Sequence, residues 1–129
     1  MMIDVNGMQI SLDEKTLSLS VKKGNQIWKF REDAKLRMEC EEATVYFEDA
    51  QTISHKEFVS GVGRGIQSHY EGFEVNGQQV PYAFDTIVWV EYASGNVFFE
   101  WIPLCEEGLT IKRVYWPGEM EFEEAKDSW

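Results

Sequence analysis

The sequence predicts an all-β domain, an antiparallel β-sandwich of about ten strands. Dipeptides that favour tight turns recur along the chain, and most segments between them alternate apolar and polar side chains. Helical periodicity is nearly absent, so the sequence lacks the crossover helices that a parallel sheet needs. With 129 residues, 43% of them hydrophobic, the chain has the size and composition of one folded domain.

Two turn dipeptides define the N-terminal strands. Asn6-Gly7 predicts a first hairpin after a short strand, and Gly24-Asn25 predicts a second one, because two-residue hairpin loops need residues that accept positive φ. In the second hairpin, a two-residue loop pairs Val21 with Trp28 on an apolar face. We therefore expect Trp28 in the core.

Further turn signals separate the strands in the middle of the chain. The glycines of Gly61–Gly65 are spaced as in a phosphate-binding loop, but a strand follows them rather than a helix, which favours a bulge or bend. Asn76-Gly77 predicts another tight hairpin. Strands are predicted at residues 35–40, 43–47, 53–59 and 66–70, and near the end at residues 109–115.

Ser94-Gly95 joins the two most hydrophobic runs, Phe84–Tyr92 and Val97–Ile102, which we predict to be central strands. A two-residue loop at this dipeptide would place one wholly apolar face in the core, with Trp101 on it. The predicted pairs are Tyr92 with Val97, Val90 with Phe99, and Val88 with Trp101.

The opposite face of these two strands mixes aromatic side chains with carboxylates. Proteins hold sugars by stacking a flat aromatic ring on them while polar groups take the hydroxyls. The same aromatics could instead be packing residues, since large aromatics commonly fill small sandwiches. The candidate carbohydrate-binding residues are Trp89, Glu91, Asn96, Phe98 and Glu100.

No catalytic residue is predicted. Glu91 and Glu100 share a face and resemble a glycosidase pair, but facing carboxylates arise readily by chance in a chain with 23 acidic residues. His55 and His69 are the only histidines and lack the spacing of metal ligands, so we predict no metal and no cofactor.

Charge and the absence of targeting signals restrict the partners. The net charge of −11 repels phosphate backbones and anionic lipids, which excludes nucleic acid and membrane surfaces as favourable partners. No signal peptide or membrane-spanning apolar run is visible, so a cytoplasmic location is expected. Cys40 and Cys105 are then expected to be reduced thiols.

The end of the chain has the composition of a connecting segment. We assign residues 1–118 to the sandwich and residues 119–129 to an acidic tail, a linker to a missing downstream domain with room for a short helical turn. Trp116, Pro117 and Trp129 are candidates for packing on that neighbouring domain.

Four segments together resemble a known module: Gly61–Ile66, Tyr70–Phe73, Val97–Leu104 and Val114–Gly118. The resemblance covers most of residues 3–122 and is to the N-terminal β-sandwich, a galactose-mutarotase-like supersandwich, of large bacterial glycoside hydrolase-like proteins. In that family a TIM-barrel catalytic domain follows the sandwich. The resemblance implies a carbohydrate-linked role, with the catalytic acids in the barrel and none in this segment.

We therefore expect a non-catalytic N-terminal domain of a glycoside hydrolase, which packs on the catalytic barrel and supports carbohydrate binding. A free-standing carbohydrate-binding module that uses the Trp89 face is the first alternative. A protein–protein adaptor that uses exposed sheet edges, or a small stand-alone enzyme, is the second.

Overall fold

The computed structural model describes residues 1–30, 35–41, 43–104, 111–117 and 120–124. Within them lie twelve strands and one 3-10 helix, Phe47–Asp49, and every strand pairing is antiparallel, which confirms the predicted fold class. The strands are β1 (Met2–Val5), β2 (Met8–Leu12), β3 (Leu19–Lys23), β4 (Gln26–Phe30), β5 (Arg37–Cys40), β6 (Thr44–Tyr46), β7 (Thr52–Val59), β8 (Gly63–Val75), β9 (Gln78–Glu91), β10 (Val97–Pro103), β11 (Ile111–Tyr115) and β12 (Met120–Glu124).

The strands form three sheets. Their orders are β1-β2-β3-β4-β12, β10-β9-β8-β7 and β11-β5-β6. Strands β8 and β9 are the longest, at 13 and 14 residues, and their inner side chains contribute to two buried clusters. Val88 and Val90 pack with the five-stranded sheet, whereas Tyr70 and Phe84 pack with the three-stranded one. The four-stranded sheet is therefore one layer of a sandwich whose other layer is made of the five-stranded and three-stranded sheets.

The three tight hairpins predicted from Asn and Gly are confirmed. Asn6-Gly7 has φ values of 51° and 78°, and Asn76-Gly77 has values of 54° and 78°, as a type I′ turn requires. At the Gly24-Asn25 turn only Gly24 has positive φ, at 60°, which fits a type II′ turn. Val21 pairs with Trp28 as predicted.

The predicted register between β9 and β10 is wrong by two residues. Val97 pairs with Val90, and Phe99 pairs with Val88. The two-residue loop does not form because the N–H of Gly95 donates to the carbonyl of Glu91, 2.9 Å away, and so closes a longer turn. A shift of two residues preserves the alternation of a strand, so the paired side chains stay on their predicted faces. Tyr92 is the exception, because it was predicted in the core but lies in the turn and is 41% exposed.

The glycine-rich segment continues as a strand, as predicted, since β8 begins at Gly63. Before it, the Ser60 hydroxyl accepts the N–H groups of Val62 and Gly63 at 3.2 and 3.1 Å and shapes the bend. The register irregularity in β8 itself lies at Gly72, which has φ of 80°.

Part of the predicted acidic tail belongs to a sheet. Residues 120–124 form β12 and pair with β4, with Phe122 opposite Trp28, rather than forming a helical turn. The five-stranded sheet therefore extends beyond residue 118, the predicted end of the sandwich. No helix among the described residues is long and apolar enough to span a membrane.

Candidate functional site: the outer face of the four-stranded sheet

The outer face of the four-stranded sheet, the side turned away from both buried clusters, carries an aromatic row. Phe58 on β7 pairs with Gly65 on β8, Gly65 pairs with Trp89 on β9, and Trp89 pairs with Phe98 on β10. Directly paired residues point to the same face of a sheet. The register therefore aligns three aromatic side chains and one glycine across four strands.

Two glycines determine how Trp89 sits in this row. A Cβ atom on Gly63 would lie 2.5 Å from Cε3 of Trp89, and one on Gly65 would lie 1.9 Å from the carbonyl oxygen of Val88. The indole therefore rests against backbone that only glycine leaves free. Its ring also stacks on Phe98, with centroids 4.9 Å apart and planes at 24°. Trp89 is packed on both sides, so it is not an open platform for a sugar ring.

Phe98 and Glu100 are exposed members of the predicted site that lie beside Trp89. Phe98 is 38% exposed, although it stacks on Trp89. Glu100 lies two residues farther along β10, and its Oε2 accepts a hydrogen bond of 3.1 Å from Nε1 of Trp89. The structure thus brings Trp89, Phe98 and Glu100 together, as the alternation of the two strands predicted.

Glu91 and Asn96 lie apart from that group. The N–H of Glu91 donates to the carbonyl of Asn96 at the closed end of the hairpin. Glu100 pairs with Ile87, four residues before Glu91 on β9, which offsets the two acids by about 13 Å along the strand. Glycosidase pairs are about 5 to 9.5 Å apart, so the shifted register removes the geometric basis for a Glu91–Glu100 pair.

A polar cluster that was not predicted from the sequence lies at the other end of the outer face. Nδ1 of His69 lies 2.6 Å from Oδ1 of Asp85, and Nε2 of Gln67 donates to Oδ2 of Asp85 over 2.9 Å. The hydrogen bond to Asp85 raises the pKa of His69, and Glu71, 3.5 Å from Nε2, raises that pKa further. The only sign of this cluster in the sequence is the row of alternate polar residues on β8. Its partner on β9, Asp85, is known only once the register of the two strands is known. The cluster borders a depression of about 420 Å³.

This cluster does not form a catalytic triad. Ser54 pairs with His69, which in turn pairs with Asp85, so the three residue types of a serine hydrolase lie in one row. A triad needs Nε2 of the histidine within hydrogen-bond reach of the serine. Here Nε2 is oriented toward Glu71 instead.

The two histidines lie on opposite faces of the sheet. Nδ1 of His55 lies 2.7 Å from Oγ of the buried Ser68, and burial lowers the pKa of His55. His69 points outward, so the pair cannot bind one metal ion together. In the described part of the chain, no three His, Cys, Asp or Glu side chains are arranged to hold a metal ion.

Exposed apolar side chains follow the free edge of β10. Phe98 and Ile102 are each 38% exposed and Leu104 is 50% exposed, at alternate positions that point to the same side. Within the described ranges β10 pairs only with β9. We call this stripe, together with Glu100, the β10 edge surface.

Of the three residues predicted to pack on another domain, two are half-buried in this one and the third lies outside the described residues. Trp116 is half-buried and packs against both buried clusters, with its ring 6.0 Å from that of Phe99. Pro117 follows it and is also half-buried. Trp129 lies outside the described residues, as does Cys105, whereas Cys40 is buried. Much of the Trp116 side chain is therefore used within this domain.

The chain resembles part of a solved enzyme. It superposes on alpha-N-acetylgalactosaminidase NagBb from Bifidobacterium bifidum in complex with GalNAc, with a TM-score of 0.80 and 33% identity over 94% of this chain. The ligand-free structure of the same enzyme gives a TM-score of 0.77 and 31% identity. The chain spans about a fifth of the enzyme, 19% of its length in the GalNAc complex.

The comparison confirms the resemblance predicted from the sequence, which was to a sandwich domain of a bacterial glycoside hydrolase. No protein-family model matches the chain, and no curated protein sequence matches it. The relation therefore depends on the structural superposition and on the identity within it.

Proposed function

We propose that this chain is a non-catalytic β-sandwich domain of a glycoside hydrolase, which packs on the catalytic domain of the same polypeptide and supports binding of its carbohydrate substrate. The observation that carries the proposal is the identity of 33% over 94% of this chain, within only 19% of an alpha-N-acetylgalactosaminidase. A segment of that size is one domain of a larger enzyme.

The chemistry of the outer face supports a non-catalytic role. The offset separates Glu91 from Glu100, the pair predicted from the sequence, and Glu100 already accepts a hydrogen bond from Trp89. His69 is held between Asp85 and Glu71 rather than beside a nucleophile. Glu100, Asp85 and Glu71 are therefore engaged in contacts within the folded surface, which supports a non-catalytic role.

The β10 edge surface supports the packing role. Contiguous exposed apolar side chains bordered by polar groups are typical of protein interaction sites. Ile102 and Leu104 extend the stripe beyond Phe98, which makes it longer than a single sugar-stacking ring. In the proposed enzyme this edge lies against the catalytic domain, and Phe98 and Glu100 border the substrate cleft.

The proposal is tested by reading the gene beyond the codon for Trp129 and by assaying the chain alone. We expect an open reading frame for a catalytic domain, and no hydrolysis of 4-nitrophenyl α-N-acetylgalactosaminide by the isolated chain. A stop codon after Trp129, or turnover by the isolated chain, would contradict the proposal, and loss of that turnover in Glu100→Gln would assign it to this chain.

A free-standing carbohydrate-binding module is the second candidate, favoured by the exposure of Phe98 beside the Glu100 carboxylate. In that case N-acetylgalactosamine or an oligosaccharide would change the tryptophan fluorescence of the isolated chain, and Phe98→Ala would abolish the change. A flat titration across a glycan panel would remove this candidate.

A further inference from the structure

We infer that Phe98 and Glu100 form a binding site for a guanidinium group, which an arginine of the docked domain inserts at the β10 edge surface. The inference rests on the proposed function for the identity of that domain. The site itself is defined by side chains of this chain.

The two side chains offer the two kinds of contact that a guanidinium makes, with an aromatic ring and with a carboxylate, on one side of β10. Phe98 stacks on Trp89 with one face and remains 38% exposed. Glu100 lies on the same side of β10, and Nε1 of Trp89 binds its Oε2, which orients the carboxylate and leaves Oε1 available. A planar cation could therefore stack on the ring and pair with the carboxylate at once.

The chain contains a completed example of this arrangement. The guanidinium carbon of Arg37 lies 4.7 Å from the ring centroid of Tyr115, and Nε of Arg37 lies 3.1 Å from Oε1 of Glu39. An aromatic ring and a carboxylate thus share one arginine. In the described part of the chain, no cation occupies the equivalent position at Phe98 and Glu100.

The charge of the outer face favours a cation from outside. The formal charge of the whole chain is −11. Lys56 is the basic side chain of the described outer face besides His69, and it lies on β7, three strands and about 14 Å from β10. The carboxylates that share this face are Glu71, Glu74, Asp85, Glu91 and Glu100.

Arginine fits this site better than lysine. Its planar guanidinium can stack on a ring while its N–H groups donate to a carboxylate in the same plane, whereas an ammonium is a compact and strongly hydrated charge. Asp85 and Glu71 already contact His69, so Glu100 is the acid best placed to pair with an incoming arginine.

The test uses the chain as it stands, with the peptide N-acetyl-Gly-Arg-Gly-amide as probe and its neutral citrulline analogue as control. Binding is followed by 1H–15N NMR at the indole N–H of Trp89 and at the backbone amides of β10. We expect saturable shifts there with the arginine peptide, weaker ones with a lysine peptide, and none with citrulline. Added salt should weaken the binding.

Three variants locate the site. Glu100→Gln and Phe98→Leu should each raise the Kd of the arginine peptide about threefold or more, since a cation–π contact and an exposed ion pair each contribute modestly. Glu74→Gln removes one charge from an exposed position on β8 and should leave the Kd unchanged. Thermal unfolding of each variant checks that the fold is kept.

Equal shifts from arginine and citrulline peptides would overturn the inference, as would a Kd that changes equally in Glu74→Gln and Glu100→Gln. Shifts caused by N-acetylgalactosamine but not by the arginine peptide would assign the site to sugar instead. Guanidinium binding by a chain whose gene encodes no catalytic domain would uphold the site and contradict only the proposed function.

Discussion

Among single residues of the outer face, Gly65 leaves the least space for a side chain. A Cβ atom at this position would lie 1.9 Å from the carbonyl oxygen of Val88, which is backbone and cannot rotate away. At Gly61, four residues earlier, an added Cβ would meet nothing within 4 Å, and φ there is not positive. The two glycines look alike in the sequence and differ in the structure.

We expect Gly65→Ala to lower the free energy of unfolding by about 2 kcal/mol or more, because β8 and β9 must separate to admit the methyl group. Gly61→Ala should change it by less than about 0.5 kcal/mol. Urea unfolding followed by tryptophan fluorescence compares the two. If the two substitutions lower the free energy of unfolding equally, the close approach of β8 to β9 at Gly65 is contradicted.

His69 and His55 should titrate in opposite directions from the ordinary histidine value. The pKa of His69 is raised by its hydrogen bond to Asp85, and the pKa of His55 is lowered by burial. An NMR pH titration should therefore place His69 above about 6.5 and His55 below it. Asp85→Asn should lower the pKa of His69 and leave that of His55 nearly unchanged. A pKa of His69 below that of His55 in the parent chain would contradict the contact between His69 and Asp85.

The His69 contact also predicts how stability depends on pH. Because the folded-state pKa of His69 is raised, the stabilisation is fully present below the unfolded value and is lost as the pH rises through the folded value. The group is partly exposed, so we expect no more than about 1 kcal/mol. In urea unfolding, His69→Gln should have a lower free energy of unfolding than the parent at pH 5.5, and this difference should be smaller at pH 8.5. A difference that does not change with pH would contradict a stabilising ion pair at His69.

At the scale of strands, the sequence predicts faces better than registers. The alternation of apolar and polar residues placed Trp89, Phe98 and Glu100 on one face correctly, because side chains on a strand have a period of two. The offset between β9 and β10 depends on the loop, where a single hydrogen bond from Gly95 to Glu91 lengthens the turn. Dipeptide signals cannot distinguish that loop from a two-residue one.

The polar cluster and the twelfth strand were harder to predict for the same reason. The contact of His69 with Asp85 joins residues 16 positions apart and appears only when β8 and β9 are aligned. Strand β12 pairs with β4, about 90 positions earlier in the chain, and its acidic composition favours a solvated tail over a strand. Long-range pairing decided both outcomes.

The pairing of β12 with β4 predicts a sharp limit to truncation. Ending the chain after Pro117 should lower the free energy of unfolding by about 2 kcal/mol or more, because it removes the ladder that covers the edge of β4. Ending it after Glu124 keeps that ladder and should cost less than about 0.5 kcal/mol. Chemical denaturation of both truncated chains makes the comparison, and similar losses in the two would contradict the pairing.

At the scale of the whole molecule, the long strands β8 and β9 unite two buried clusters behind one outer face. One end of that face carries the aromatic row and the other end carries the polar cluster of His69 and Asp85, while the β10 edge surface runs along the edge beside both, since Ile102 pairs with Asp85. This division fits a domain that presents one apolar edge to a larger enzyme and keeps the rest of the sheet hydrated.

The most direct test of this account is a graft into the enzyme that the chain resembles. The matched segment of NagBb is deleted, and this chain is inserted in its place, either intact or with Phe98→Asp and Ile102→Asp together. A matched control carries Val59→Asp, at a side chain 65% exposed on the opposite edge of the same sheet. Hydrolysis of 4-nitrophenyl α-N-acetylgalactosaminide is measured for each protein.

We predict that the intact graft and its Val59→Asp version restore activity that the deleted enzyme lacks, and that the double substitution reduces this activity at least tenfold. A graft that folds by circular dichroism but restores nothing, or one that works equally well with Phe98 and Ile102 both replaced, would contradict an accessory domain that docks through the β10 edge.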